Sequence, residues 1–69
     1  MVNINMLKGK IVERGMNVTK LASEVGIDRS SLYRKINENG KTITIEEAEN
    51  IKNVLQLTAD EATSIFFAE

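Results

Sequence analysis

The sequence predicts an all-α fold made of five short helices. Its 69 residues contain no proline, so no position excludes a helix on that ground. Apolar residues recur at spacings of three or four, which places them on one face of a helix. Four of the five predicted helices follow an asparagine, aspartate or threonine that can cap a helix. The five predicted helices cover residues 4–14, 18–25, 29–37, 45–56 and 59–68.

The first three helices are predicted from apolar spacing and from caps. Asn17 precedes the second helix and Asp28 precedes the third, and both side chains can accept bonds from unpaired backbone N–H groups. The residues expected to face the core share the helical spacing throughout the chain. They are Leu7, Ile11, Leu21, Ala22, Val25, Leu32, Ile36, Ala48, Ile51, Leu55, Ala62, Ile65 and Phe66.

The fourth and fifth helices each begin with a capping box. Thr44 with Glu47, and Thr58 with Glu61, fit the pattern S/T-x-x-E. In this pattern the threonine hydroxyl and the glutamate carboxylate each accept a backbone N–H bond at the start of the helix. The segment KTITI at 41–45 alternates as a strand does, but it is too short to outweigh the helical pattern.

Composition excludes several classes of protein. The chain has no cysteine and no histidine, so it lacks disulfides, the commonest metal ligand and the commonest general base. An enzyme would need carboxylate, lysine or tyrosine chemistry in a chain with little room for a pocket. No apolar run approaches the ~20 residues of a membrane span, and no signal peptide opens the chain. We therefore expect a cytoplasmic protein that is not an enzyme and needs no cofactor or metal.

Charge is divided between the two halves of the chain. Residues 1–41 hold eight Lys and Arg against four Asp and Glu, which gives 8 − 4 = +4. Residues 42–69 hold one lysine against six acids, which gives 1 − 6 = −5. This division favours one face for a polyanion and another turned away from it. The alternative is chance clustering in a short chain.

A tight turn is predicted between the second and third helices. Gly26 can end a helix at positive φ without a Cβ clash, and Asp28 can begin the next helix. Between them, Ile27 is expected to enter the core. Ala22 is small, which allows the two helices to approach closely. These features are typical of a helix-turn-helix.

The ordered residues of this segment resemble the helix-turn-helix of the phage repressor/Cro family, also called the Cro/C1 or XRE type. The segments before and after the motif are similar to the remaining helices of that family, so the resemblance covers nearly the whole chain. The residues that carry it, preceded by the capped start NVTK, are Leu21, Ala22, Val25, Gly26, Ile27 and Leu32.

The resemblance implies a five-helix, lambda-repressor-like DNA-binding domain over residues 1–69, with the motif at about 18–37. It implies a sequence-specific regulator of transcription that binds double-stranded DNA, as a Cro-like protein or short phage-type repressor of bacterial or prophage origin. The third helix would enter the major groove. No second domain follows in the sequence, and the alternative is a fragment of a longer repressor.

Two positions depart from the family pattern. Many members carry glutamine at the first position of the second helix, where it helps to bind a phosphate, whereas this chain has Val18. The family usually has an apolar residue three positions after Leu32, whereas this chain has Lys35, and Ile36 is expected to take the core role. The end of the third helix is therefore expected to be rotated or extended.

The outward face of the third helix supplies the candidate base contacts. With Leu32 and Ile36 buried, ~100° per residue places Ser30, Arg34 and Asn37 opposite and Tyr33 on their flank. The resemblance adds Arg29 in the first turn. Four of the five also have a structural alternative: Arg29 pairs with Glu24 or Asp28, Tyr33 covers the core edge, Ser30 is an ordinary first-turn residue, and Asn37 ends the helix.

Five further residues are candidates for phosphate contacts. Asn17, Thr19 and Lys20 lie at the start of the second helix, where N–H groups and the helix dipole favour an anion. Lys41 and Thr42 follow the third helix. The alternative for all five is ordinary solvated surface.

The last helix is the candidate dimer interface. Phe67 lies roughly 140° from the predicted buried stripe and should project towards solvent. The family often dimerises in this region, so we expect a homodimer on a palindromic operator, formed mainly on the DNA itself. The alternative is a frayed end with Phe67 folded over the core. The alternative function is a protein-interaction module or antirepressor on the same fold that does not bind DNA.

Overall fold

The computed structural model describes residues 1–68 and confirms the five-helix, all-α prediction. Over these residues there is no strand, and the KTITI segment forms a turn followed by the start of a helix. None of the described helices is long and apolar enough to cross a membrane. The helices are α1 (Ile4–Glu13), α2 (Val18–Val25), α3 (Arg29–Asn37), α4 (Ile45–Leu55) and α5 (Ala59–Phe66).

Three helices end earlier than predicted. Helices α1 and α4 are one residue shorter, because Arg14 and Gln56 are cap residues at which the helical backbone stops. Helix α5 is two residues shorter, because Phe67 has a φ of −124° and a ψ of 34°. The bounds of α2 and α3 agree with the prediction.

The first four helices end in the same way. In each, a backbone N–H donates to the carbonyl five residues earlier, at 2.8–3.0 Å, which satisfies one of the last carbonyls of the helix. The residue before each donor is left-handed. Gly26 has the predicted positive φ, at +83°, and so connects α2 to α3. The other left-handed residues before the donors are Gly15, Asn39 and Gln56.

One apolar core receives residues from all five helices. Of the residues predicted to face inward, Val25, Ala48 and Ala62 are only partly buried. Leu57 is buried although no helical pattern predicted it. It directly follows the left-handed Gln56, and an apolar residue at that point of the helix-ending motif packs back on the helix.

The N-terminal segment joins distant parts of the fold. The backbone N–H of Asn3 donates to the carbonyl of Ile65 at 2.6 Å, and its side chain accepts from Met6 N as the cap of α1. Val2 lies against Gly40, so that a Cβ added to Gly40 would be 2.7 Å from the Cβ of Val2. This segment therefore connects α1 to the end of α5 and to the α3–α4 turn.

Both predicted capping boxes are present, and each glutamate also binds a lysine from another helix. Lys35 Nζ lies 2.7 and 2.8 Å from the two carboxylate oxygens of Glu47. Lys10 Nζ lies 2.6 Å from Glu61 Oε2. The ion pairs connect α3 to α4 and α1 to α5. Lys35, which stands where the family usually has an apolar residue, forms an ion pair with Glu47. Ile36 is buried, as expected.

The Lys10–Glu61 ion pair makes the stability of the fold depend on pH in the acidic range. The hydrogen bond from Lys10, followed by that from the Thr58 backbone, lowers the pKa of Glu61 from 4.5 to about 2. A lowered folded-state pKa contributes stability that is present above the unfolded value and is lost as pH falls through the folded value. The urea concentration at the unfolding midpoint should therefore decrease as the pH is lowered from ~4.5 to ~2. Glu61→Gln should make this decrease with pH smaller.

The control for this titration is Glu49→Gln. Glu49 is an exposed glutamate of α4 with no ion pair to any described residue. It should keep the acid dependence of the wild type. An acid dependence for Glu61→Gln as steep as the wild type's would show that the pair does not stabilise the fold.

Candidate nucleic-acid interface

The buried face of α3 determines which of its side chains reach solvent. Leu32 and Ile36 lie in the core at 1% and 4% exposure. The opposite face is open, with Ser30, Arg34 and Asn37 all exposed. Because these three lie within ~60° of one another around the helix axis, they form one surface.

Arg29 is exposed at the first turn of α3. The two acids proposed as its structural partners are engaged elsewhere. Asp28 Oδ2 accepts from the backbone N–H groups of Ser30 and Ser31 at 3.0 and 3.3 Å, and Glu24 lies 3.8 Å from Lys20. Neither Arg29 nor Arg34 has an ion pair within residues 1–68, so both guanidinium groups can meet a ligand without breaking one.

Tyr33 and Asn37 stand at the limits of this face. Tyr33 is 44% exposed, so much of its ring and hydroxyl surface remains open to a partner. Asn37 is the last residue of α3, and Glu38 is the cap that follows. Asn37 thus ends the helix, as its structural alternative expected, and it is also exposed, so its amide can meet a ligand.

The candidate phosphate contacts at the start of α2 are exposed. Asn17 Oδ1 accepts from Lys20 N at 2.8 Å and caps the helix, as predicted. Its amide N–H groups are the part of the side chain that can donate to a ligand. Thr19 and Lys20 face solvent, and the 3.8 Å pair of Lys20 with Glu24 is an exposed one that contributes little to stability.

The other two phosphate candidates lie in the turn between α3 and α4. Thr42 Oγ1 donates to Glu38 Oε1 at 3.3 Å. Lys41 is exposed and forms no ion pair with any of residues 1–68. Lys41 and Asn37 line the same open groove, so the turn continues the surface that the end of α3 begins.

The basic residues of the first half divide evenly between structural and open positions. Four take part in ion pairs within the described residues: Lys10, Arg14, Lys20 and Lys35. Arg14 also donates to the carbonyl of Leu55 at 2.8 Å, at the end of α4. The four without an ion pair in that part of the chain are Lys8, Arg29, Arg34 and Lys41.

Two of these four cations, Arg29 and Arg34, lie on α3, and Lys41 lies in the turn between α3 and α4. The fourth, Lys8, lies on α1 and was not predicted as a site residue. Its only signal in the sequence is the charge excess of residues 1–41, which does not distinguish Lys8 from the four cations in ion pairs. Most of the positive charge without an ion pair in this half thus belongs to α3 and to the turn that follows it.

Phe67 follows α5 and is 68% exposed, which confirms the expected exposure. It borders a small hollow of about 130 Å³ between α4 and α5, lined in part by Ala48, Ala62 and Phe66. Ile45, at the rim, is also exposed. This end of the molecule therefore carries an open apolar surface on the acidic half of the chain.

The chain matches a known protein family. The family model of the Cro/C1-type HTH DNA-binding domain matches residues 6–65. This range contains α2, the Gly26 turn and α3, together with every candidate DNA contact; Phe67 lies outside it. The predicted family resemblance is confirmed. The comparison with curated proteins finds no match, and the comparison with solved structures finds none either.

Proposed function

The chain belongs to the Cro/C1-type helix-turn-helix DNA-binding domain family, and from this premise we propose that it is a sequence-specific transcriptional regulator with α3 in the major groove. Domains of this family bind DNA in a regulatory role. The observation that carries the proposal is that the two exposed arginines of α3, Arg34 on the open face and Arg29 in the first turn, have no ion pair within residues 1–68.

The exposed side chains of α3 have complementary chemistry for base edges. Arg34 and Arg29 each offer a guanidinium that can bond guanine O6 and N7 together. Asn37 offers an amide, which pairs in the same way with adenine N6 and N7. Ser30 is short and permits close approach, while Tyr33 presents a ring and a hydroxyl to sugar, thymine methyl or phosphate.

Phosphate contacts would orient the domain on the duplex. We assign them to the start of α2, where Asn17, Thr19 and Lys20 are exposed, and to Lys41 and Thr42 after α3. These contacts position the protein and carry no sequence information themselves. The weak Lys20–Glu24 pair can be replaced by a phosphate at small cost.

We propose further that residues 1–69 act as one domain and as a homodimer on a palindromic operator. Phe67 and the hollow beside it would form the contact, on the acidic half and away from the DNA. A two-fold dimer places two recognition helices about 34–36 Å apart on successive major grooves. In this proposal the chain is a Cro-like or short phage-type repressor acting in the bacterial cytoplasm.

Phe67→Glu tests the dimer. It should abolish cooperative occupation of a palindromic duplex while leaving the monomer folded, because the new carboxylate would be desolvated in the contact. Val12→Glu is the matched control, since Val12 is an exposed apolar residue of α1 outside the hollow. Analytical ultracentrifugation and duplex titration should separate the two. Pairing of Phe67→Glu as strong as that of the wild type would place the interface elsewhere.

Salt titration with a labelled duplex tests DNA binding itself. Fluorescence anisotropy should show binding at low salt that weakens as salt rises, with a slope of about −0.9 for each phosphate contact. Heparin should retain the protein at low salt. An interaction module or antirepressor would neither bind the duplex nor remain on heparin, and that pair of results would contradict the proposal.

A further inference from the structure

An open groove of about 1020 Å³ separates the start of α1 from the α3–α4 turn. Asn5 and Lys8 line it on the α1 side. Asn37, Asn39 and Lys41 line it on the side of α3 and the following turn. Residues distant in sequence thus place two lysines and four asparagines, the fourth being Asn3, around one surface depression.

The polar part of the groove lining favours an anion, and the rest of the lining is apolar, with Val2, Ile4 and Ile43 among its residues. Neither Lys8 nor Lys41 forms an ion pair within residues 1–68, and both are exposed. None of the described lining residues is acidic. The asparagine side chains add N–H donors that can bond phosphate oxygens. By contrast, the hollow between α4 and α5 contains Glu49.

The groove is continuous with the face of α3. Asn37 belongs to both, as the last residue of the open face and as part of the groove wall. A duplex seated on α3 would therefore extend its sugar–phosphate backbone from Asn37 towards Lys41 and Lys8. Charge complementarity and this continuity both identify DNA backbone as the occupant.

We propose that this groove binds the DNA backbone beside the segment that α3 reads, with Lys8 of α1 as a phosphate ligand. This inference rests on the proposed function, because it assumes a duplex on α3. It extends the DNA contact surface beyond the helix-turn-helix to the first helix. A phosphate contact strengthens binding to all DNA sequences about equally, so its loss should weaken binding to all of them about equally.

Lys8→Ala is the test. Its affinity for duplex DNA should fall about threefold to tenfold at moderate salt, and the salt slope should become shallower by about 1. The reduction should be the same for an operator and for a duplex with substituted bases. The melting temperature should not change, since the Lys8 side chain lies outside the core.

Two further variants make the outcome specific. Lys8→Arg keeps the positive charge at the same position, and its affinity and salt slope should equal those of the wild type. Arg34→Ala reports on α3 alone. If Arg34→Ala weakens binding while Lys8→Ala has the affinity and slope of the wild type, the groove proposal is overturned and the proposed function stands.

Two other results would overturn the groove proposal. If the wild-type protein binds no duplex at low salt, the proposed function fails and the groove assignment fails with it. If Lys8→Ala leaves duplex binding unchanged but weakens binding of a polyglutamate peptide, the groove is a site for acidic peptides. A parallel titration with that peptide distinguishes these cases.

Discussion

Replacing Arg34 with alanine is expected to lower the affinity for the selected operator by about 1–3 kcal/mol, the range for a lost bidentate base contact. Arg34 is exposed on the face of α3 opposite Leu32 and Ile36, and it has no ion pair within residues 1–68. Helicity and melting temperature should therefore scarcely change. Gel-shift titration with the operator measures the loss.

Arg34→Lys is the control that separates base reading from charge. Lysine keeps the positive charge but lacks the planar fork that bonds two acceptors of one base. The Arg34→Lys variant should bind non-operator DNA as the wild type does. It should distinguish poorly between bases at the position that Arg34 contacts. Operator affinity unchanged in Arg34→Ala would remove Arg34 from the interface.

Gly40→Ala is expected to destabilise the fold by roughly 2–5 kcal/mol, which combines a left-handed backbone cost with overpacking. Gly40 is buried at a φ of +75°, and an added Cβ would lie 2.7 Å from the Cβ of Val2. Urea denaturation measures the loss. Adding Val2→Ala to Gly40→Ala should restore part of the stability, because it removes the two Val2 γ-carbons at 2.9 Å.

Gly26 provides the comparison, since its φ is +83° but a Cβ there would meet nothing within 4 Å. Gly26→Ala should therefore cost only the backbone term, about 1–2 kcal/mol. Gly26→Val should cost more, because a β-branched residue fits poorly at positive φ, and DNA binding should fall with stability. An equal loss for Gly40→Ala and Gly26→Ala would show that the Val2 contact costs nothing.

Signals that act over a few residues were sufficient to predict most of the fold. Asn17, Asp28 and the two capping boxes begin their helices as predicted, because a cap and its N–H partners are two or three residues apart. Gly26 is left-handed at the end of α2, as predicted from its own lack of a Cβ. Asn39 and Gln56 are left-handed without being glycine, and the sequence pattern did not identify them.

Contacts between distant residues were not predictable in the same way. Lys35 was recognised as atypical, but its partner Glu47 lies on another helix. Lys10 and Glu61 are separated by 51 positions. No local pattern specifies such pairs, since they depend on how the helices pack. The burial of Leu57 likewise follows from the end of α4 rather than from a helical stripe.

The candidate site shows the same division. The open face of α3 could be predicted because Leu32 and Ile36 define its buried side at ~100° per residue. Lys8 could not, because only tertiary structure brings α1 to the same groove as Asn37 and Lys41. The contacts of each residue with DNA remain predictions.

Selection from a pool of random duplexes, followed by sequencing, tests most directly the claim that α3 reads a DNA sequence. The wild-type protein should enrich one motif, arranged as two inverted half-sites about one helical turn apart. The pool selected by Arg34→Ala should lose its preference at one position in each half-site. A selected pool whose sequences match the input, with duplex binding absent at low salt, would contradict the claim.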